Sequence, residues 1–427
     1  MRFVADLHIH SKFSRAVSQN MVLEQMDLWS AYKGVDVLSA SDFTHPVWFN
    51  ELQQKLEPAE PGLYTLKKQY KQELFYGGFA NTRFILSTEI ENIYSKNGKV
   101  RKIHNIIFAP SLETVAKINA RLDIVGNLSA NGRPILGLDS KELLKILLDI
   151  DPNCFLVPAH AWTPHFGIFG SVTGFDSLQE CFEELTPYIF AIETGLSSDP
   201  LMNRKLSSLD NIALISNSDS HSLQRIGREA NIFNTELSYD GILNAIKSND
   251  SNKFLMTIEF YPEEGRYHFD GHSYCNFSSS PQDTKKLNNI CPVCGKPLTI
   301  GVMNRVVSLS DRDDNNAKQF VKIPYQNLIP LDEIIADSLG VVSKTKRVWD
   351  EYQNILKKFK SEINVLLYVK DEILKQELSP LIAEGILRVR NGKVLIRPGY
   401  DGEYGKINIF SEDDRKNLSQ QKSLFCL

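Results

Sequence analysis

Apolar, strand-like runs that end in a histidine or a carboxylate recur through the first 260 residues, and that repetition restricts the folds open to this chain. The first run, Phe3 to Leu7, leads into His8-Ile9-His10. Side chains alternate along a strand, so histidines two apart point the same way. Val35 to Ser41 ends at Asp42, and Arg83 to Thr88 ends at Glu89. Asn97-Gly98 is a hairpin signal, and the returning strand carries His104. Cys154 to Ala159 ends at His160, Tyr188 to Thr194 is a further strand, and Ile212 to Ser218 ends in Asp219-Ser-His221. Helical patterns over about 22–33, 46–56, 112–124, 139–149 and 239–248 lie between them, with Asn20 expected to cap the first and Gly34 to close it. Alternating strand and helix predicts an α/β fold, a barrel whose strand ends converge on one face.

That convergence carries the chemistry. His8, His10, Asp42, Glu89, His104, His160, Asp219 and His221 all sit at or near strand ends, and five of the nine histidines are among them. Imidazole and carboxylate together suit zinc, manganese or iron, and magnesium less readily. A glutamate among histidines suits a carboxylate shared by two divalent ions, a pairing that serves hydrolysis of a phosphate ester. Asp219, His221 and Glu89 are the expected catalytic residues. No Gly-x-Ser-x-Gly elbow supports a serine nucleophile.

The chain has 427 residues, enough for two or three domains. Residues 1–260 form the expected metal-dependent catalytic domain, 261–325 a zinc-binding module, 326–410 a mainly helical domain and 411–427 a flexible tail. In the module, His272-x2-Cys275 is followed fifteen residues later by Cys291-Pro-Val-Cys294-Gly, the spacing of one tetrahedral structural zinc. His268 competes with His272 as fourth ligand. Ser343-Lys344-Thr345-Lys346-Arg347 opens a helix with basic side chains, and Asn391-Gly392 signals a second hairpin. A net charge of −4 excludes a broadly basic surface, so contact with nucleic acid must use a local patch or bound ions. No run has the length of a membrane span and no signal peptide opens the chain, so the expectation is a cytoplasmic protein without membrane contact.

Asp-Leu-His-Ile-His-Ser, Ser-Thr-Glu89, His104, Pro-Ala-His160 and Asp219-x-His221, in this order, resemble the polymerase-and-histidinol-phosphatase (PHP) superfamily. The resemblance extends to the endonuclease Q family through Pro158-Ala-His-Ala-Trp-Thr-Pro164, Phe169-Gly-Ser171, Gly174-Phe-Asp-Ser177, the Cys291-to-Gly301 segment and Pro398-Gly-Tyr-Asp-Gly-Glu-Tyr-Gly405. It implies a distorted (β/α)7 PHP barrel followed by a small zinc-binding module and a helical C-terminal domain. It implies two or three divalent ions (zinc, manganese or magnesium) in the active site, besides the structural zinc. The implied activity is hydrolysis of the phosphodiester 5′ to deaminated bases (uracil, hypoxanthine, xanthine) and abasic sites in DNA. On that pattern His8, His10 and Asp219 would hold one ion and share Glu89 with a second, which His104 and His160 would complete; His221 would serve a third. The chain departs from the PHP pattern at Arg15, where an aspartate is usual, and at Phe43, where a histidine is usual. Asp42 or His45 could rebuild that third site.

A damaged base must leave the stack to be read. Trp162, His165, Phe166 and Phe169 follow His160 in one loop and are the expected pocket walls. Lys12, Arg15, Arg225, Arg228 and the lysines near 344–347 are the expected phosphate contacts. Gln421, Leu424 and Phe425 resemble the short peptide by which bacterial replication and repair proteins dock on the sliding clamp. Two other readings compete: a PHP phosphatase of small phosphorylated metabolites, and a non-catalytic DNA-binding module. The zinc module and helical region count against the first, and the intact ligand set against the second.

Overall fold

The Arg2–Asp6 strand, which delivers His8 and His10, sits in the middle of an eight-stranded sheet. It runs parallel to Val37–Ser39 and antiparallel to Ala230–Asn234. The sheet continues to Arg83–Ile85, Leu63–Leu66 and Leu56–Pro58 on one side, and to Phe254–Glu259 and Tyr325–Asn327 on the other. These are features of a computed structural model that describes residues 1–411, 413 and 414.

A second sheet of four strands carries Glu89, His104 and the approach to His160. Its order is Ile135–Leu136, Ser87–Lys96, Lys99–Phe108, Phe155–Pro158. Asn97 and Gly98 adopt φ of 54° and 73°, the double left-handed turn that an Asn-Gly hairpin requires. The resulting register pairs Glu91 with His104. Glu89, two residues earlier, therefore shares a face with His104. Ala191–Glu193 and Ala213–Ile215 form a separate parallel pair.

The mixed α/β class is as expected, but among the described residues these sheets do not close into a barrel. The chain bends at Leu86 and passes from one sheet to the other. Elsewhere polar side chains replace ladder bonds. Asn231 Nδ2 donates to Ser216 O (2.7 Å) and Ala5 O (3.3 Å), and its Oδ1 accepts from Ser216 N (3.0 Å). Asn217 Oδ1 accepts from Leu7 N at 2.9 Å, and Glu193 Oε2 from His160 N at 2.8 Å. Backbone groups at strand ends are satisfied this way without a continuous ladder.

Helices cover the sheets with their apolar faces. Tyr239–Ser248 buries Ile242, Leu243 and Ile246 in one cluster with Phe3, Phe233 and Phe254. Each such side chain contributes roughly 1.5–3 kcal/mol. Leu23–Lys33 ends at Gly34 (φ 84°) as expected, but Val22, not Asn20, stands at its start and gives no side-chain cap. Pro46–Lys55 is capped by His45, whose ring accepts from Trp48 N.

Beyond residue 330 the chain is helical: Leu331–Leu339, Lys346–Phe359, Asp371–Glu377 and Pro380–Arg390, with a π-helical turn at Asn364–Tyr368. Buried Glu362 ties these helices to the first. It accepts from Lys33 Nζ (2.6 Å), Tyr352 OH (2.8 Å) and Leu331 N (3.1 Å). Asn391-Gly392 does not make a hairpin. It ends the Pro380–Arg390 helix, and the hairpin instead joins Leu395–Arg397 to Lys406–Asn408 across the Pro398–Gly405 loop. No described helix is long and apolar enough to cross a membrane.

Candidate metal-dependent active site

Two groups of ligand atoms meet at Glu89. In the first, His8, His10 and Asp219 bring three atoms within 4.8 Å of one another. Asp219 Oδ1 lies 3.1 Å from His10 Nε2 and 3.8 Å from His8 Nε2. In the second, Glu89 Oε1 lies 2.7 Å from His104 Nδ1 and 3.0 Å from His160 Nε2. The other oxygen, Oε2, is 3.4 Å from His10 Nε2 and 3.8 Å from His8 Nε2. Glu89 thus stands between the groups, one oxygen to each.

The donors fit divalent ions. His8 Nε2, His10 Nε2 and Asp219 Oδ1 are buried without an aligned hydrogen-bond partner, while His104 turns Nδ1 to Glu89 and its Nε2 lies 3.7 Å from Glu91 Oε2. Buried polar atoms are normally satisfied, so a cluster of orphans facing one point marks a cation site. Burial opposes charge on Glu89, yet His104 and Arg133 hold its carboxyl well below the usual range. Asp219 is likewise held ionised against its desolvation, by His10 and His8.

Other residues fix the ligands. Glu193 accepts from His8 Nδ1 at 3.0 and 3.2 Å and from Asn217 Nδ2 at 2.9 Å. Asp42 accepts from His10 Nδ1 at 3.2 Å, from Ser11 N and Oγ at 2.7 Å each, and from Ser14 Oγ at 2.8 Å. In these bonds each Nδ1 keeps its proton and donates it to a carboxylate, which leaves both Nε2 atoms free, the outer-shell arrangement of metal-bound histidines. His160, Asp219 and Asp42 adopt positive φ (29°, 45° and 42°), a cost of about 1–3 kcal/mol each that the surrounding bonds sustain. Gly195 lies beside His160, where an added Cβ would stand 2.5 Å from His160 Cβ.

Several expectations change here. Asp42 joins neither ligand group, because its oxygens are taken up in orienting His10. His45 is a helix cap stacked on Phe13 at 4.2 Å. His221 packs its ring 4.8 Å from His10, and its Nδ1 lies 2.8 Å from Asp219 O, at the rim of the first group. Trp162 and Phe169 are not pocket walls. Both are fully buried against each other, and the Trp162 indole donates to Asn203 Oδ1 at 2.7 Å. Phe166 does reach the site, stacking on His104 at 4.5 Å, and His165 is exposed beside it. Arg15 is exposed, Lys12 pairs with Glu51 at 2.9 Å, Arg225 pairs with Glu333, and Arg228 Nε donates to Ser218 O at 3.0 Å.

Two residues escaped the sequence reading. Glu193 ends a strand and obeyed the same pattern as the ligands. Arg133 Nη1 donates to Glu89 Oε2 at 2.9 Å from an irregular loop that bears no such signal.

In the second module, His272, Cys275, Cys291 and Cys294 bring their ligand atoms within 4.8 Å. His268 is buried outside that group, so the alternative it offered falls away. Gln421, Leu424 and Phe425 lie outside the described residues.

A family model for the MJ0043 C-terminal domain matches residues 330–393. Uncharacterized protein MJ0043 of Methanocaldococcus jannaschii is 36% identical over 265 residues, 60% of this chain, which spans only 31% of that protein's length. Uncharacterized protein YqxK of Bacillus subtilis is 29% identical over 425 residues, covering 95% of this chain and 99% of its own. The crystal structure of the lesion-specific endonuclease PfuEndoQ from Pyrococcus furiosus has a TM-score of 0.83 at 30% identity and covers 96% of both chains. A crystal structure of endonuclease Q with a 27-mer duplex substrate bearing an abasic lesion at the active site has a TM-score of 0.81 at 30% identity, over 97% of this chain and 98% of that one. Because the likeness to both endonuclease Q structures runs through nearly the whole of each chain, this chain belongs to the endonuclease Q family and is a metal-dependent endonuclease.

Proposed function

We propose that this enzyme hydrolyses the DNA phosphodiester on the 5′ side of deaminated bases (uracil, hypoxanthine, xanthine) and of abasic sites. One observation carries the reading: orphaned, buried ligand atoms of His8, His10 and Asp219 face a glutamate whose other oxygen meets His104 and His160. The neighbour's duplex with an abasic lesion at its active site supports DNA as the substrate.

Bound divalent ions would supply positive charge to the phosphate and a nucleophile at neutral pH. His8, His10 and Asp219 would hold one, His104 and His160 a second, and Glu89 would touch both. Glu193 and Asp42 keep the imidazoles in the tautomer that points Nε2 inward. Arg133 adds a fixed cation beside Glu89. His221, at the rim beside His10 and Asp219, would exchange a proton with the leaving oxygen. His272, Cys275, Cys291 and Cys294 would hold a structural zinc.

The test is a nicking assay on end-labelled duplexes with a single uracil, hypoxanthine or abasic site and an undamaged control. It is run with and without added divalent metal, with Asp219→Asn alongside. Metal-dependent cleavage 5′ to the lesion, lost in the variant, is expected. Release of phosphate from small esters with no DNA cleavage would overturn the reading.

A further inference from the structure

The irregular loop between the Leu112–Leu122 helix and the Ile135–Leu136 strand is pinned to the turn that follows His10. Asn131 Oδ1 accepts from Arg133 N at 3.2 Å and from Arg15 N at 3.1 Å, and Gly132 N donates to Phe13 O at 3.0 Å. A Cβ on Gly132 would stand 2.4 Å from Asp42 Oδ2 and 2.5 Å from Ser14 Oγ. The backbone before Arg133 therefore rests directly on the carboxylate that orients His10. The Arg133 side chain is delivered to the metal centre from a fixed base.

The guanidinium stands beside Glu89, with Nη1 donating to Oε2 at 2.9 Å. The side chain is 19% exposed, enough to meet a substrate while it is held. Its Nε is buried without a partner. A guanidinium has five N–H donors in a planar fork, and the bond to Glu89 engages only one of them. Burial opposes its charge, and Glu89, Asp219 and Glu91 sustain it. Other cations near the centre are engaged elsewhere. Lys12 pairs with Glu51 at 2.9 Å, Arg225 pairs with Glu333, and Arg228 Nε donates to Ser218 O at 3.0 Å. A phosphate seated between the two ligand groups therefore meets, in Arg133, a fixed cation with donors to spare. Charge-assisted bonds to phosphate oxygens are what such a fork makes.

We propose that Arg133 is a catalytic residue, with one arm on Glu89 and a free donor on a non-bridging oxygen of the scissile phosphate. Water adds across the ester: its oxygen bonds to phosphorus, the bond to the leaving oxygen breaks, and a proton ends on that oxygen. Arg133 gives up no proton. Its fixed charge counts most where negative charge builds on the non-bridging oxygens during the displacement. The proposal rests on the reading of the chain as a nuclease of lesion-bearing DNA.

The experiment uses the full chain and a duplex with one abasic site. The scissile position carries a normal phosphate or either phosphorothioate diastereomer. Arg133→Ala is expected to lower kcat on the normal duplex about 10²–10³-fold, the weight of one preorganised donor. In wild type, the diastereomer that turns sulfur toward Arg133 is cut more slowly than the normal duplex, because sulfur is a weak acceptor. In Arg133→Ala that difference disappears, while the other diastereomer keeps its wild-type ratio. Free guanidinium ion is expected to restore part of the rate to Arg133→Ala. Bound manganese, counted by mass spectrometry, is expected to stay at the wild-type number, which separates contact with phosphate from support of Glu89. Arg133→Lys keeps the charge without the fork, and it supplies the same comparison if the alanine variant does not fold. Unaltered sulfur effects on both diastereomers, or loss of a manganese equivalent, overturns the proposal. Wild-type protein that cuts none of the duplexes overturns the lesion-nuclease reading itself, a result distinct from failure of the variants.

Discussion

Glu193 grips His8 with both carboxylate oxygens, 3.0 and 3.2 Å from Nδ1, and with one of them also holds the backbone N–H of His160. One buried side chain thus sets a ligand in each of the two metal-facing groups. Glu193→Gln keeps the shape but removes the charge that anchors the His8 proton. It is expected to weaken divalent-ion binding about 10- to 100-fold, the usual cost of an outer-shell change. Isothermal titration with manganese measures it, and unchanged affinity would sink the assignment.

Asp42 distinguishes a ligand from an orienting group. Asp42→Asn is expected to weaken ion binding by a similar factor through His10, while the number of ions bound stays the same. Metal counting by mass spectrometry on the saturated protein decides the matter. Loss of one whole equivalent would show that Asp42 is a ligand after all.

Cys291 is the most buried member of the group His272, Cys275, Cys291 and Cys294, and the backbone N–H groups of Cys294 and Val293 offset its desolvation, lowering its thiol to about 7. Cys291→Ser is expected to reduce bound zinc by one equivalent and to lower the melting temperature, since a structural metal contributes directly to folding. Equal zinc content in variant and wild type contradicts the site.

Stability should fall as pH rises from about 5 to 8. Burial, with Asp199 nearby, pushes the Glu259 carboxyl up to about 8, against an unfolded value near 4.5. The protonated folded form is favoured, so this contribution is fully present below the unfolded value and is lost as pH rises through the folded one. Glu264, raised to about 8 by burial and by Glu333, acts in the same direction. Glu259→Gln is expected to make the fall in melting temperature over that window shallower, while Glu264 and the buried, raised carboxyls of Asp6, Asp199 and Glu229 continue to act in the same direction. An unchanged slope in differential scanning calorimetry would rule out Glu259 as a source.

The α/β alternation and the strand ends that carry His8, His10, His160 and Asp219 follow from local patterns in the sequence, whereas Glu89 lies just inside the Ser87–Lys96 strand and His104 in the middle of Lys99–Phe108. Apolar runs, an Asn-Gly turn and the His272-x2-Cys275 and Cys291-x2-Cys294 spacings each act over a few residues. His8, His10, Glu89, His104, His160 and Asp219 were legible as one candidate set, and so was the grouping of His272, Cys275, Cys291 and Cys294. Tertiary structure decided what depends on partners far along the chain. Asp42 became an orienting group because Ser11, Ser14 and His10 reach it first. Trp162 and Phe169 became core because they pack on each other and Asn203 takes the indole proton. The strands stand in separate sheets, and side chains such as Asn231 meet backbone groups between them. Arg133 met Glu89, and Trp349 met Trp29, across separations of 44 and 320 residues. Composition and spacing carry no record of such meetings, since they depend on which buried polar groups and ring faces are left unsatisfied once the sheets have packed.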